Sequence, residues 1–281
     1  MVKIMIDSAA DIGKAEAEQL GAILVPMIIT IGEEEFYDGI DLTPTSFYEK
    51  LIESSVLPKT SLINAFRWEE AYNEHLGADD ELIVITISSK LSGTYRSALE
   101  AAEQFNGRVH VIDSMNAAVG ERLLCLYALD LAKQGLSATE IAAALEEKKG
   151  NIKVIALVGT LEYLKKGGRI SSAVAFAGEL LALKPVVGVV DGEVKLLGKA
   201  MGSKKGNNLL NKLVQESNGI DFSMPFGTIW SGLSPVLLEK YIQDSSALWV
   251  GHTDEMPRYH IGATIGTHVG PGAVGFAFFE K

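Results

Sequence analysis

Three apolar runs in the first half of the chain end alike. Val2–Ile6 runs into Asp7-Ser8, Leu82–Ile87 into Ser88-Ser89, and Val109–Ile112 into Asp113-Ser114. Each run has the length of a strand and lacks polar alternation, as strands covered on both faces do. Helical patterns stand between and after them, at Pro44–Ser54, Arg67–His75, Thr94–Phe105 and Ala118–Lys133. Strands alternating with helices imply parallel pairing and an α/β sheet. In such a sheet the three polar endings share one edge, the carboxyl edge, where ligands bind.

The second half has a different texture after Gly150-Asn151. Strand patterns at Val154–Val158, Val186–Val190, Val194–Leu197, Phe226–Trp230, Leu248–Gly251, Tyr259–Ile265 and Ala273–Phe279 alternate less regularly with helices. Helical patterns lie at Leu161–Lys166, Ile170–Leu183, Ser203–Glu216 and Ser234–Gln243. Asp191-Gly192 between two apolar runs is a hairpin signal. The expected fold class is α/β with two domains: a parallel-sheet α/β domain over residues 1–150 and a mixed, partly antiparallel α/β domain over 151–281. A chain of 281 residues fits two domains at roughly 100–200 residues each.

Composition narrows the function classes. The net charge of −11 disfavours nucleic acid as a partner and leaves at most transient contact with an anionic membrane. No apolar run reaches the ~18 residues a membrane helix needs. The start, Met1 to Asp7, reads as a strand rather than a signal peptide. The single cysteine, Cys125, excludes an internal disulfide and a cysteine-based zinc site. The five histidines are not grouped with acids at ligand spacing, so no metal and no cofactor is expected. These features read as a cytoplasmic protein.

Two segments carry candidate chemistry. Ser88-Ser89-Lys90-Leu91-Ser92-Gly93-Thr94 joins a strand end to a helix start. One hydroxyl suffices to cap a helix; four hydroxyls and a glycine suit an anionic ligand held by side chains and free N–H groups. Gly266-Thr267-His268-Val269-Gly270-Pro271-Gly272 surrounds one histidine with residues that shape backbone, and reads as a strand–loop–strand. Its Gly270–Gly275 stretch spells G-x-G-x-x-G, but only six residues follow, too few for the helix and strand of a dinucleotide site. Lys59-Thr60-Ser61 reads as a polar loop. Arg169, after Gly167-Gly168, is a cation on an acidic protein; with Lys199, Lys204 and Lys205 it could dock an acidic partner.

Taken in order, Ile6-Asp7-Ser8, Lys59-Thr60-Ser61, Ile87 to Tyr95, Val111 to Ser114, Thr160 to Ile170, Leu183-Lys184-Pro185 and Gly266 to Gly272 resemble the DegV family over essentially the whole chain. The resemblance implies a bacterial lipid-binding protein of two α/β domains with a long-chain fatty acid buried between them. It implies that the protein does no chemistry itself and presents the carboxylate to a separate ATP-dependent fatty acid kinase, which makes an acyl phosphate. Carried onto matching positions, the carboxylate contacts would be Thr60, Ser92, the Gly93 amide and His268, with Ser61 beside Thr60. Arg169, Lys199 and Lys204 would face the partner. Two positions depart from the family pattern: Leu62-Ile63-Asn64 stand where Gln-Pro-Ser is usual, and Met201 stands where kinase-partnered members tend to carry Arg. Two other readings follow from the residues: a regulatory or structural lipid-binding protein without a kinase, and an acyl hydrolase using Ser92 and His268.

Overall fold

The alternation in the first half folds into the sheet it implies. The computed structural model describes residues 1–171 and 183–281. The first half supplies β1 (Val2–Asp7), β2 (Ala22–Val25), β3 (Ile28–Ile31), β4 (Glu34–Tyr37), β5 (Lys59–Ser61), β6 (Glu81–Thr86) and β7 (Val109–Asp113). Four of them form a parallel sheet in the order β2-β1-β6-β7. Ile4 to Ile6 and Leu82 to Ile85 are buried, which is why these strands read as unbroken apolar runs. The helices Thr94–Ala102, Val119–Lys133 and Ala138–Lys148 pack against this sheet. The last of them opens on a capping box: Glu140 N donates to Ser137 Oγ, and Ser137 N donates to Glu140 Oε2 at 2.9 Å.

The apolar run from Ala22 to Ile31 forms two strands rather than one. Pro26 has no N–H to give a ladder, and its carbonyl accepts from Arg67 Nη2 at 2.7 Å. Met27 N donates instead to Ser8 Oγ at 3.0 Å. β2 therefore stays in the parallel sheet, and β3 turns into a separate antiparallel sheet of order β4-β3-β5. Lys59-Thr60-Ser61, expected as a loop, is its edge strand, with Thr60 opposite Ile29. Three polar residues carry no strand periodicity, so only the pairing with β3 makes this strand.

The second half supplies β8 (Ile152–Leu157), β9 (Leu183–Val190), β10 (Glu193–Met201), β11 (Phe226–Trp230), β12 (Arg258–His260) and β13 (Val274–Phe279). They form a mixed sheet in the order β10-β9-β8-β13-β11-β12, antiparallel except for β11 and β12. The hairpin at Asp191-Gly192 is present, with φ of 52° and 79° at the two turn residues. Leu248–Gly251 is not a strand: a 3-10 turn over Ser246–Leu248 leads into Trp249, buried with its indole N–H donating to Ile242 O at 3.3 Å. The helix expected over Ile170–Leu183 falls mostly on residues 172–182, outside the described residues; Leu183 itself opens β9. No described helix is long and apolar enough to cross a membrane.

The largest correction concerns Tyr259–Ile265 and the following glycines. A short β12 is followed by a helix, Ala263–Val269, so His268 sits in a last helical turn rather than a loop. The cause is distant in sequence. Asp38 accepts from Ala263 N at 3.1 Å, Thr264 N at 3.1 Å and Thr264 Oγ1 at 2.5 Å. Asp11 accepts from Gly262 N at 2.8 Å. Two carboxylates thus take up the free N–H groups of the first turn and oppose its dipole. Arg122 braces Asp11 from behind, donating to the Asp11 and Ala10 carbonyls and to both oxygens of Glu16, with its guanidinium 4.2 Å from the Tyr259 ring centre.

One buried acid is not braced in this way. Glu121 is fully buried on the Val119–Lys133 helix, and neither carboxyl oxygen has a hydrogen-bond partner of ordinary geometry among the described residues. Burial first, and the nearby Asp7 second, push its carboxyl well above the usual range. Asp7 itself is raised to about 6 by burial, against bonds from Ile87 N and Ala9 N that pull it down.

Two outcomes follow. Asp38→Ala strands three buried donors and should lower the unfolding free energy by about 3 kcal/mol or more, read from urea midpoints; a loss under about 1 kcal/mol would show that the helix does not depend on this carboxylate. Glu121 has a folded pKa above its unfolded one, so its contribution is complete below the unfolded value and is lost as pH rises. Glu121→Gln removes that loss. The stability of the variant relative to the wild type should therefore climb from pH 5 to pH 8, and a difference independent of pH would refute the assignment.

Candidate functional site

The carboxyl edge of the parallel sheet is tied together by the acids at its strand ends. Asp7 Oδ2 accepts from Ile87 N at 2.8 Å, and Asp113 Oδ1 accepts from Ser89 N at 3.1 Å and Met115 N at 2.9 Å. Both aspartates shape the loop after β6 rather than face open space. Ser88 is buried and donates to Gly192 O at 2.7 Å, fastening the β9–β10 turn onto the same loop. Of the four hydroxyls in this loop, Ser88 and Thr94 are buried in such contacts, and Ser92 remains half-buried.

Ser92 ends a tight turn, its N–H donating to Ser88 O at 3.1 Å. Its hydroxyl lies 2.9 Å from Thr94 Oγ1 and accepts from Thr94 N at 3.3 Å. Thr94 Oγ1 in turn accepts from Ile63 N at 3.4 Å, which draws the segment after β5 against this loop. Gly93, at the head of the Thr94–Ala102 helix, has an N–H with no partner among the described residues.

These pieces surround a cavity of about 260 Å³. It lies between the loops of the parallel sheet and the inner face of the mixed sheet. Val154, Ala156, Val187, Val189 and Ile229 of the mixed sheet and Ile87 of the parallel-sheet edge give it an apolar body. Thr60, Ser61, Ser92, Gly93 and His268 all line it, so the structure brings together the five residues expected to contact a carboxylate. They form one polar pole. Thr60 Oγ1 lies 3.1 Å from His268 Nε2. Ser61 and Gly93 are exposed, so the pole is the end that meets the surface.

His268 is placed by close packing. A Cβ on Gly167 would overlap His268 Nδ1, and one on Gly270, which has φ of 71°, would overlap the Tyr163 ring. The two glycines let the Glu162–Lys166 helix approach the Ala263–Val269 helix at backbone distance. Burial, and then the positive charge of Arg169, push the His268 imidazole down to about 4, so the ring is neutral near pH 7. Its Nδ1 is buried without a partner among the described residues. Ser92 and His268 are not hydrogen-bonded to each other; each uses a threonine instead. The nucleophile–base contact and the orienting acid of a serine hydrolase are thus not assembled among the described residues.

Arg169 stands elsewhere than a surface patch alone would require. It is half-buried and lines the cavity, with Nε donating to Leu91 O at 3.1 Å and Nη1 to Gly167 O at 2.6 Å. Lys199 on β10 and Lys204 on the Gly202–Gln215 helix are exposed and do not line this cavity. Asp11 and Asp38 had no local signal: each is an acid in a loop, and the helix it caps lies more than 220 residues away. Among the described residues no group of three His, Cys, Asp or Glu side chains could hold a metal ion.

The chain is similar to known proteins over its whole length. The family model described as "Uncharacterised protein, DegV family" matches residues 1–281. A DegV domain-containing protein of Clostridium perfringens is 35% identical over 288 residues, covering 98% of this chain and 96% of its own length. A structure described as fatty acid binding of a DegV family protein from Thermus thermophilus matches with a TM-score of 0.87 at 32% identity, over 100% of this chain and 99% of that one. DegV of Bacillus subtilis, described as a fatty acid binding protein, matches with a TM-score of 0.83 at 30% identity, over 100% and 99% of the two chains. With the family model and these relatives spanning it end to end, the chain belongs to the DegV family.

Proposed function

We propose that this protein binds one long-chain fatty acid, with the acyl chain in the apolar cavity and the carboxylate at Thr60, Ser61, Ser92, the Gly93 N–H and His268. The observation that carries this reading is the division of one cavity into a long apolar body and a single polar pole. Each buried CH₂ contributes about 0.8 kcal/mol, so the chain supplies affinity and the pole supplies orientation. The pole suits an anion without being strongly charged. The Thr60 and Ser92 hydroxyls, the unpartnered Gly93 amide and a neutral imidazole donate, and Arg169 supplies the positive charge. Two lobes, residues 1–150 and 151–281, would hold the ligand between them. The relatives described as fatty acid binding support the ligand class.

The protein acts in the cytoplasm as a carrier without chemistry or cofactor of its own. It presents the carboxylate to a separate ATP-dependent fatty acid kinase, and its contact with membranes is transient. The exposure of Ser61 and Gly93 supports presentation, because the head group lies at the surface while the tail is enclosed. Arg169, Lys199 and Lys204 would contribute to the partner surface, Arg169 from the rim of the cavity and the two lysines from β10 and the helix after it.

Denaturing mass spectrometry of the purified protein should release a long-chain fatty acid near one equivalent. A delipidated protein without affinity for any C14–C20 acid would overturn the reading. Ser92→Ala and His268→Ala should each weaken binding by ~1.5–3 kcal/mol, the value of a hydrogen bond to a charged group, or about 10–150-fold; wild-type affinity in both would place the carboxylate elsewhere. The double variant Lys199→Ala, Lys204→Ala should keep fatty acid affinity and lose acyl-phosphate formation with the kinase. Unchanged formation would remove these lysines from the partner surface.

A further inference from the structure

Ser88 stands where the apolar wall of the cavity meets the loop of the polar pole. It is fully buried, and each of its polar groups is used. Its N–H donates to Asn116 O at 2.8 Å, and its carbonyl accepts from Leu91 N at 2.9 Å and Ser92 N at 3.1 Å. Its hydroxyl accepts from Lys90 N at 3.2 Å and donates across the lobes to Gly192 O at 2.7 Å. The turn that presents Ser92 and Gly93 therefore hangs on the same residue that grips the tip of the β9–β10 hairpin.

The hairpin is a wall of the cavity. Val189 pairs with Val194 on either side of its turn, and both line the cavity, as do Val187 and Gly188. β10 is the edge of the mixed sheet, so the hairpin has a neighbouring strand, β8, on one side only. Its tip has no slack against Ser88. Gly192 has φ of 79°, and a Cβ there would stand 2.6 Å from Ser88 Oγ, 3.0 Å from Met115 Cε and 3.2 Å from Lys90 Cγ. Close-packed contacts of this kind pass a displacement on rather than absorb it.

We propose that Ser88 is a positioning residue that couples the contact of the acyl chain with Val189 and Val194 to the contact of the head group with Ser92 and Gly93. The ligand in this inference rests on the fatty-acid reading above; the link between hairpin and loop rests on the hydrogen bonds of Ser88. A chain that presses the hairpin outward draws Gly192 O and the Ser88 hydroxyl with it, and the Ser88 carbonyl carries the Ser92 turn along. The hold on the head group then depends on how well the tail fills the wall, and a coupling free energy joins two contacts that share no atom.

The test uses delipidated full-length protein and hexadecanoic acid. Kd is measured for the wild type, Val194→Ala, Ser92→Ala and the double variant, and again for the same four with Ser88→Ala added. With Ser88 in place, the double variant should depart from the product of the single losses by at least about threefold; without Ser88, the losses should multiply to within about twofold. Losses that multiply in the presence of Ser88, or a departure that persists without it, overturn the proposal. A second reading needs no variant: in the wild type bound to acids from C12 to C16, the amide resonances of Gly192 and Ser92 should shift together along the series. Ser92 shifts that do not track those of Gly192, or no shift at either, overturn it. If no acid binds the wild type, the fatty-acid reading has failed, and hydrogen exchange in the free protein judges the link. Gly192→Ala should then speed exchange of the Ser92 N–H by about tenfold, and unchanged exchange overturns the link.

Discussion

Asp11 and Asp38 reach across the molecule to the N–H groups of Gly262, Ala263 and Thr264, and the site depends on that reach. The helix they cap has seven residues, one of them glycine, too few to be stable alone. Its first turn is held by carboxylates and its last turn carries His268 beside Thr60. The bonds are made in a fully buried place, where burial pushes both carboxyls up and the donors from the helix pull them back. The same contacts join elements from both halves of the chain around one cavity.

A second set of acids serves the other wall. Asp7 and Asp113 use their oxygens on the backbone of the loop after β6, so the turn that presents Ser92 and Gly93 is stiffened from both neighbouring strands. Ser88 then fastens the β9–β10 turn onto that loop. Polar residues at parallel strand ends are commonly read as ligand contacts. Here most of them build the frame, and Ser92 is left half-buried at the helix start, where it lines the cavity.

Much of this was legible in the sequence where the determinant is local. Buried parallel strands are mostly apolar runs, so β1, β6 and β7 could be read directly, as could the Asp191-Gly192 turn. The polar pole was legible for a different reason: its residues lie in short stretches that resemble a family, and the fold gathers them. What was not legible depends on contacts distant in sequence. Lys59–Ser61 is a strand only because β3 lies beside it. Residues 263–269 are helical because Asp38 caps them, and with their glycine they look like a loop. Arg169 was legible as a cation but not as a cavity wall, because only the fold brings Leu91 O and Gly167 O to its guanidinium.

The position of β13 has a consequence for how the molecule is made. β13 follows β8, β9, β10 and β11 along the chain, yet it lies between β8 and β11 in the sheet. The mixed sheet therefore cannot be laid down strand by strand as the polypeptide emerges from the ribosome. Until β13 arrives, β8 and β11 have a gap between them, and the inner face that carries Val154, Ala156 and Ile229 has no continuous backing. The parallel sheet has no such gap: its strands are complete by Asp113, and its contacts are closer in sequence. A nascent chain would thus carry a finished carboxyl edge for some time before it has any enclosed interior. The enclosed cavity would arrive late and in one step, with the last strand of the chain.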